Sequence, residues 1–268
     1  MYAILISIYN GSPLCHFKEA INSILSQTLK PSSIHIVRDG LVSVETQNYL
    51  NSLRSKNLFV HEYIQNKGLG GALNFGLQFI RENYILRMDA DDISHPNRAK
   101  QLYYLISTND FSVVGSNIVE FTDQINNIKS VISYPKLTLP FTLFNYHRDP
   151  VGHASVIFNK NDIIECGGYA SCLFFEDTYL WLRMNKRGYS FYSVNQNLYF
   201  ARIGNDFYER RRGLNYAIRE IINFLFFWSE GLISNKSLVF NILSRPFVRL
   251  LPVFLLRYFY ILFLRDRK

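Results

Sequence analysis

The strongest constraint on the fold is the alternation of strand-like and helix-like segments in the first 110 residues. Short apolar runs alternate with stretches of helical spacing, and the links between them are short. This alternation predicts an open parallel sheet with helices on both faces. The predicted strands are 3–9, 33–37, 58–64 and one from 84 to a group of aspartates, and the predicted helices are 14–27, 44–55, 72–82 and 97–107.

After residue 112 the pattern becomes irregular. The segments predicted there are strands at 111–121, 155–160, 189–194 and 198–203, and a helix at 175–188. From residue 206 onward the chain is helical, basic and aromatic. We therefore predict an α/β domain over 1–205, in two halves that meet near residue 110, and a helical extension over 206–268.

Composition narrows the classes of partner. The 268 residues are 48% hydrophobic, which permits a sizeable core and disfavours disorder. The net charge of +8 suits an anionic partner: nucleic acid, a phosphorylated substrate or an anionic membrane. Cys15, Cys166 and Cys172 lack metal-binding spacing and are predicted to be reduced, buried thiols of a cytosolic protein. Neither a signal peptide nor a transmembrane helix is predicted.

Three aspartates follow the fourth predicted strand. In an open parallel sheet, ligands bind beyond the carboxyl ends of the strands. Asp89 and Asp91 are two residues apart, so they point to one side of an extended chain while Asp92 points away. Two carboxylates on one side suit Mg²⁺ or Mn²⁺ bound together with substrate phosphates. The alternative is a solvated loop that caps the next helix.

The other predicted strands also end in polar or glycine turns. These turns are Tyr9-Asn10-Gly11, Asp39-Gly40 and Asn66-Lys67-Gly68. Each alone reads as an ordinary turn or helix start. Because carboxyl ends of parallel strands meet at one edge of a sheet, all four together predict a single crevice.

Several segments, in this order, resemble known ones. "ISIYNGS", "IHIVRDG", "NKGLGGALNFG" and "YILRMDADDISHPNR" resemble the nucleotide-sugar half of inverting family-2 glycosyltransferases with the GT-A fold. "HASVIF", "GGY" and "FEDTYLWLRMNKRG" are similar to the acceptor half, and "RRRGLNY" to a tract of bacterial exopolysaccharide and O-antigen members. The resemblance covers about 3–220. It implies a Rossmann-like, mostly parallel sheet with a nucleotide-sugar half (1–110) and an acceptor half (111–205).

The resemblance implies a nucleotide-sugar site. Tyr9 and Asp39 match the positions that hold the uracil base, and Asp89 matches the one that faces the ribose. Asp91 matches the ligand of Mn²⁺ or Mg²⁺ under the diphosphate. The chain departs from the family at Arg38, usually Asp, and at Ser7, usually Pro, which leaves nucleotide preference open. The implied site comprises Ser7, Tyr9, Asn10, Asp39, Gly40, Lys67, Gly68, Asp89, Ala90 and Asp91, with Asp91 and Asp89 on the metal.

The resemblance also implies an acceptor side. Asp177 matches the general base, although a helix N-terminal acid is the alternative reading. Glu176 beside it is predicted to contact the acceptor, as is Trp181, and His153 is predicted to lie near the donor diphosphate. Direct displacement would invert the anomeric carbon and give a β-linkage. The chain lacks the Q-x-x-R-W tract of processive synthases, which favours transfer of a single sugar.

The C-terminal extension combines arginines with aromatic residues. Its uncharged runs are too short to span a bilayer, so it is predicted to lie at an anionic membrane surface. A packed helix pair or a homodimer face is the alternative. Arg210, Arg211 and Arg212 are predicted to hold the acceptor diphosphate.

The expected function is that of a peripheral enzyme on the cytoplasmic face of the cell membrane. It would transfer one hexose from UDP-glucose or UDP-galactose to an undecaprenyl-diphosphate-linked saccharide in bacterial surface polysaccharide synthesis. A nucleotide-dependent oxidoreductase is disfavoured because G-x-G-x-x-G does not follow the first strand. An aspartate-nucleophile phosphatase is disfavoured because the D-x-D follows the fourth strand. A non-catalytic basic protein that binds nucleic acid or membrane is the remaining alternative, but no nucleic-acid motif accompanies the charge.

Overall fold

The computed structural model describes residues 1–170, 175–204 and 207–265. The predicted alternation of the first half is confirmed. Its elements are β1 (Tyr2–Ile8), α1 (Leu14–Leu25), β2 (Ser33–Asp39), α2 (Val44–Leu53), β3 (Leu58–Tyr63), α3 (Gly68–Leu77), β4 (Tyr84–Asp89) and α4 (Arg98–Thr108). The four strands are parallel in the order β3-β2-β1-β4, so their carboxyl ends meet at one edge.

The two faces of β1 explain why helices cover both sides of the sheet. Ile4 and Ile6 pack with α1 on one face. Ala3 and Leu5 pack with α3 on the other, in agreement with the two-residue period of a strand. Helix α3 begins at Gly68, inside the predicted loop 66–71. A β-carbon at Gly70 would lie 3.2 Å from Cβ of Tyr169, so the glycine lets this turn approach the second half.

The second half extends the same sheet. Its elements are β5 (Ile93–Ser94), β6 (Val113–Phe121), β7 (Ile128–Ile132), β8 (Leu137–Thr138), β9 (Ile157–Asn159), α5 (Lys160–Glu165), α6 (Glu176–Lys186) and β10 (Phe191–Arg202). The strand order is β3-β2-β1-β4-β9-β6-β10-β5, and β7 and β8 pair with β6 and β10. Because β9 is antiparallel to both neighbours, the extended sheet is mixed. The predicted α/β class is confirmed.

Three predicted strands differ in the structure. The segment 155–160 contains only the short β9, because a 3-10 turn at His153–Ser155 precedes it and α5 follows it directly. The strands predicted at 189–194 and 198–203 form one strand, β10. The polar residues between them lie in register irregularities of the pairing with β6, between Val194 and Tyr199.

Three helices form the described extension: α7 (Leu214–Ser229), α8 (Asn235–Arg249) and α9 (Val253–Phe263). Phe224 and Phe227 of α7 belong to the same buried cluster as Trp181 of α6. The extension therefore packs on the acceptor half through a continuous core. Across the described ranges, no helix has the length and apolar character needed to cross a bilayer.

The cysteine prediction is confirmed in part. Cys166 is buried, and burial raises the pKa of its thiol to about 11. Cys15 is exposed, so its prediction as a buried thiol is wrong. It lies on the solvent face of amphipathic α1 with Lys18 and Glu19, three and four residues further on. Cys172 lies outside the described residues.

Candidate active site

A cleft lies where the first, second and fourth strands end. It encloses about 340 Å³. Asn10, Gly40 and Lys67 belong to the same turns but do not line it. The predicted residues that do are Ser7, Tyr9, Asp39, Gly68, Asp89, Ala90 and Asp91, and Asn66 lines it as well. The prediction of one crevice at the strand ends is confirmed.

Asp39 is buried at the floor of this cleft. Its Oδ1 accepts hydrogen bonds from the Tyr63 hydroxyl at 2.8 Å and from the Lys67 amide at 2.7 Å. Asn66 Nδ2 donates to its carbonyl at 3.1 Å. Gly40 turns the chain here with φ +84, a conformation that favours glycine. These bonds fix the Asp39 carboxylate against the loop that follows β3.

Arg38 occupies a position where the chain departs from the family pattern. Strand alternation turns its side chain away from Asp39. Its Nη1 donates to Gln47 Oε1 at 2.8 Å, and its Nε lies 3.4 Å from Glu62 Oε2. Arg38 thus ties α2 to β3 and is not among the residues that line the cleft.

The three aspartates have different surroundings. Both oxygens of Asp89 accept bonds from Arg87, at 2.8 and 2.5 Å. Asp92 points away, as predicted, and accepts bonds from the Tyr199 hydroxyl at 2.7 Å and the Arg202 amide at 2.8 Å. Asp91 has no side-chain hydrogen-bond partner within the described ranges. Burial and the Asp89 charge raise the pKa of Asp91.

This arrangement suits a divalent cation whose remaining coordination positions are filled by the substrate. Within the part of the chain that the structure describes, no three His, Cys, Asp or Glu side chains could hold a metal together. Mg²⁺ usually takes one or two carboxylates and fills its other positions with water and substrate phosphates. Asp91 is the carboxylate available to it, since Asp89 is already paired with Arg87.

Asp177 lies in the first turn of α6. The Thr178 amide donates to its Oδ1 at 2.8 Å. Burial, followed by the charges of Asp149 and Glu176, raises the pKa of Asp177 to about 7. A general base is most effective when its pKa lies near the working pH. Asp177, the side chain predicted as the base, therefore has a pKa that suits this role.

Asp149 is a carboxylate that the sequence analysis missed. The hydroxyls of Tyr146 and Thr178 donate to its Oδ1 at 3.2 and 2.9 Å. Burial raises its pKa, as it does for Asp177. The signal in the sequence is the charged stretch "HRDP" (147–150), shortly before His153.

Arg87 is a second functional candidate that was missed. It is a buried arginine in β4, a strand read from the sequence as an apolar run. It is salt-bridged to Asp89. Burial raises the pKa values of Tyr169 and Asp177, and the Arg87 charge opposes this rise. Burial lowers the pKa of His153, and the Arg87 charge adds to that effect. A single cation thus acts electrostatically on residues of both halves.

His153 and Trp181 lie in the interior. His153 Nε2 is 2.9 Å from the Tyr169 hydroxyl, and burial holds its pKa well below the usual value, so the ring is neutral. The Trp181 side chain is fully buried, with its ring at a steep angle to that of His153. In this arrangement Trp181 packs in the core rather than offering a face to an acceptor, which corrects the predicted contact. The part assigned to His153 remains a prediction.

Asn74 connects the two halves at this point. Its Nδ2 donates to the Tyr169 carbonyl at 2.7 Å, and its Oδ1 accepts from the Tyr169 amide at 2.9 Å. Gly168 precedes Tyr169 with φ +63, and a β-carbon there would lie 2.6 Å from Asn74 Oδ1. The "GGY" segment is therefore held against α3, beside the donor cleft.

Comparison with known proteins agrees with this geometry. Residues 3–167 match the model of glycosyl transferase family 2. The chain belongs to this family. The UDP-Gal:alpha-D-GlcNAc-diphosphoundecaprenol beta-1,3-galactosyltransferase of Escherichia coli is 33% identical, over 97% of this chain and 94% of its own length. The amylovoran biosynthesis glycosyltransferase AmsE of Erwinia amylovora is 32% identical, over 100% of both chains.

Solved structures agree on the fold of this glycosyltransferase. S. aureus TarS 1–349 in complex with UDP-GlcNAc superposes with a TM-score of 0.60 and 17% identity, over 98% of this chain and 73% of that one. The complex of the same protein with UDP also gives 0.60, with 19% identity, over 84% and 70%. The predicted GT-A fold is confirmed.

The three arginines that precede α7 differ in exposure in this glycosyltransferase. Arg210 and Arg212 are exposed. Arg211 is partly buried: its guanidinium lies 3.8 Å from the Phe207 ring centroid, and its Nη1 donates to the Phe207 carbonyl at 3.2 Å. Their assignment to an acceptor diphosphate remains a prediction.

Proposed function

We propose that this glycosyltransferase moves a single hexose from a UDP-sugar to a lipid-linked saccharide of the undecaprenyl-diphosphate type, in bacterial surface polysaccharide synthesis. The Escherichia coli relative carries this donor and acceptor class in its name, and the Erwinia relative is named for the polysaccharide amylovoran. Galactose is the hexose that the first name favours, and glucose is the alternative.

The observation that carries the proposal is a carboxylate with a raised pKa, Asp177, in the first turn of a helix whose Glu176 side chain lies against Gly70 of α3, next to the cleft-lining Leu69. Burial raises the pKa of Asp177 to about 7, so its carboxylate can take the proton of an acceptor hydroxyl at neutral pH. The hydroxyl oxygen then bonds to the anomeric carbon as the UDP oxygen leaves from the opposite face. This single displacement inverts the carbon, so an α-linked donor gives a β-linked product.

The donor would lie along the floor of the cleft. Asp39 and the half-exposed Tyr9 would hold the uracil, and the ribose would lie near Asp89. Mn²⁺ or Mg²⁺ on Asp91, near Asp89, would act as a Lewis acid that neutralises the departing diphosphate. Arg87 keeps the Asp89 carboxylate oriented through two hydrogen bonds.

The extension would bring the enzyme to the inner face of the membrane. Its helices expose large apolar side chains, a feature that marks an interaction surface. Arg212, Arg219 and Arg257 are exposed on the same segment and would favour anionic lipid. The exposed apolar residues of this face include Leu243, Phe247, Leu250, Phe254, Tyr258 and Phe263.

Thermal stabilisation tests the donor site. Melting temperatures would be measured with UDP, GDP, CDP and dTDP, with and without Mn²⁺, for wild type and Asp91→Ala. A ligand that binds only the folded state raises the melting temperature. We expect a Mn²⁺-dependent rise with UDP that Asp91→Ala loses. A rise with a different nucleotide would mean that the donor sugar is carried by that nucleotide. If none of the four nucleotides raised the melting temperature, the nucleotide site would be refuted.

Vesicle sedimentation tests the membrane surface. Phe247→Ser with Phe254→Ser should release the protein from vesicles that contain anionic lipid, and Phe59→Ser, on the β3 edge, is the matched control. Sedimentation without any lipid dependence, or a concentration-dependent dimer that buries this face, would contradict the membrane assignment.

A further inference from the structure

We propose that the acceptor diphosphate binds in a second cavity, between the 132–149 segment and helices α8 and α9, with Arg148 and Arg245 as its anion ligands. This inference rests on the proposed function, because it locates the acceptor of that reaction. The cavity encloses about 460 Å³, which is within the usual range of small-molecule sites.

The cavity begins beside the proposed base. Asp149 lines it, and the Thr178 hydroxyl donates to Asp149 Oδ1 at 2.9 Å while the Thr178 amide donates to Asp177 Oδ1 at 2.8 Å. Phe175, at the N-terminus of α6, also lines it. A sugar whose hydroxyl meets Asp177 can therefore extend into this cavity, with its anomeric diphosphate further inside.

Two of the arginines in the lining are already neutralised. Arg265 donates two bonds to the Glu120 carboxylate, at 2.8 and 2.6 Å. Arg249 donates to both oxygens of the buried Glu220, at 2.8 and 2.9 Å. Neither guanidinium needs an external anion.

Arg245 and Arg148, by contrast, are not fully neutralised by a carboxylate. Arg245 also contacts Glu220, at 3.2 Å, so a single carboxylate serves two guanidiniums and one positive charge remains. Arg148 is exposed, with its guanidinium 5.1 Å from the Tyr134 ring centroid. Within the described ranges it has no ion pair. Asp149 also lines the cavity and interacts with both guanidiniums, and burial raises the pKa of its carboxyl. The four arginines still outnumber Asp149, Glu120 and Glu220, so the cavity keeps a positive charge that suits a diphosphate diester.

The rest of the lining suits a lipid chain. Phe240, Val248, Phe259 and Leu264 are among the residues that line the cavity. Helix α8 also carries the exposed Leu243 and Phe247. An alkyl chain that leaves the diphosphate would follow α8 toward the proposed membrane face. Arg210, Arg211 and Arg212 do not line this cavity, so the two assignments of the diphosphate compete.

Binding without donor tests the site directly. The probes are a synthetic alkyl-diphosphate-N-acetylglucosamine and the matched monophosphate, with UDP as the check on the donor cleft. The variants are Arg148→Gln, Arg148→Lys and Arg212→Gln. Arg81→Gln, an exposed arginine between α3 and β4, is the control. Because Arg148 is exposed and has no ion pair in the described part of the chain, its variants should keep a melting temperature close to that of wild type.

We expect Arg148→Gln to weaken binding of the diphosphate probe about tenfold to a hundredfold, the usual loss for one hydrogen bond to a charged group. Its preference for diphosphate over monophosphate should fall, UDP affinity should be unchanged, and Arg148→Lys should recover part of the loss. Wild-type affinity in Arg148→Gln, or a loss in Arg212→Gln alone, would overturn the assignment.

The same measurements separate this inference from the proposed function. Wild-type protein that transfers hexose from a UDP-sugar to the probe, with Arg148→Gln unaffected, would keep the function and refute the cavity. Protein that binds the probe through Arg148 but transfers from no UDP-hexose would refute the function and keep the cavity. Protein that does not bind the probe at all would refute the cavity.

Discussion

Asp177→Asn should make the protein more stable at alkaline pH while it abolishes transfer. The pKa of Asp177 rises from 3.8 to about 7 on folding, chiefly through burial. The folded protein therefore binds a proton more tightly than the unfolded chain between these values, and stability falls as pH rises through that window. Above pH 7 the folded state carries the full cost of a buried carboxylate, and asparagine removes it.

The pKa shift of Asp177 sets an upper limit on the stabilisation by Asp177→Asn. About three pKa units at 1.36 kcal/mol each give about 4 kcal/mol at pH 8. Asp177 is partly exposed, so solvent screening reduces this value, and about 2 kcal/mol is the working expectation. For a chain of this size, that corresponds to a melting temperature about 4–8 °C higher than wild type. At pH 5 most of the difference in melting temperature between Asp177→Asn and wild type should disappear.

Differential scanning fluorimetry from pH 5 to pH 8 measures this difference. Glu45→Gln, at an exposed position in the first turn of α2, is the control, since it removes a negative charge from another helix N-terminus and so reports the loss of a helix-dipole interaction. Transfer by Asp177→Asn should fall by about 10²–10⁴, the usual effect of removing a general base. If Asp177→Asn is no more stable than wild type at pH 8, after correction with Glu45→Gln, the buried-carboxylate reasoning is refuted.

Three further changes address separate parts of the site. Asp149→Asn removes a negative charge that raises the pKa of Asp177, so the acidic limb of the pH profile of kcat/KM should move to lower pH; an unmoved limb would mean that the charges are not coupled. Tyr63→Phe removes a hydrogen bond to Asp39 and should weaken UDP binding about tenfold in calorimetry, whereas Tyr104→Phe, on exposed α4, should not. Glu220→Gln leaves Arg245 and Arg249 without a carboxylate and should lower the free energy of unfolding by about 3–5 kcal/mol in urea titrations. A loss below about 1 kcal/mol would mean that water already solvates the two guanidiniums.

The donor half could be predicted because its signals are local. Each strand ends in a turn within a few residues of its ligand-binding side chain, and parallel strands bring these ends together without further information. Alternation also predicted that Asp92 would point away from Asp89 and Asp91. The same rule explains why Arg38 is turned away from the cleft although Asp39 lines it.

The acceptor half could not be predicted as well, because its site depends on contacts that are distant in sequence. Asp149 meets Thr178 across 29 residues, and Arg245 reaches the His147 carbonyl across 98. No local pattern signals either contact. Trp181 was misread for a related reason, since burial depends on packing by β10 and α7. The helix that carries Asp177 was predicted correctly because a local signal, Gly188, marks its C-terminal end. The part assigned to Asp177 comes from the resemblance and stays a prediction.

Two of the three aspartates at the end of β4 have partners within the fold. Arg87 neutralises Asp89 from inside the sheet, and Tyr199 with the Arg202 amide stabilises Asp92. Tyr199 belongs to β10, and its hydroxyl also accepts a bond from the Asp89 amide at 3.2 Å. The acceptor half therefore sets the backbone on which Asp91 is displayed. Of the three, Asp91 lines the cleft without a hydrogen bond to another side chain of the described residues. Any shift of β10 would therefore move the carboxylate proposed to hold the metal.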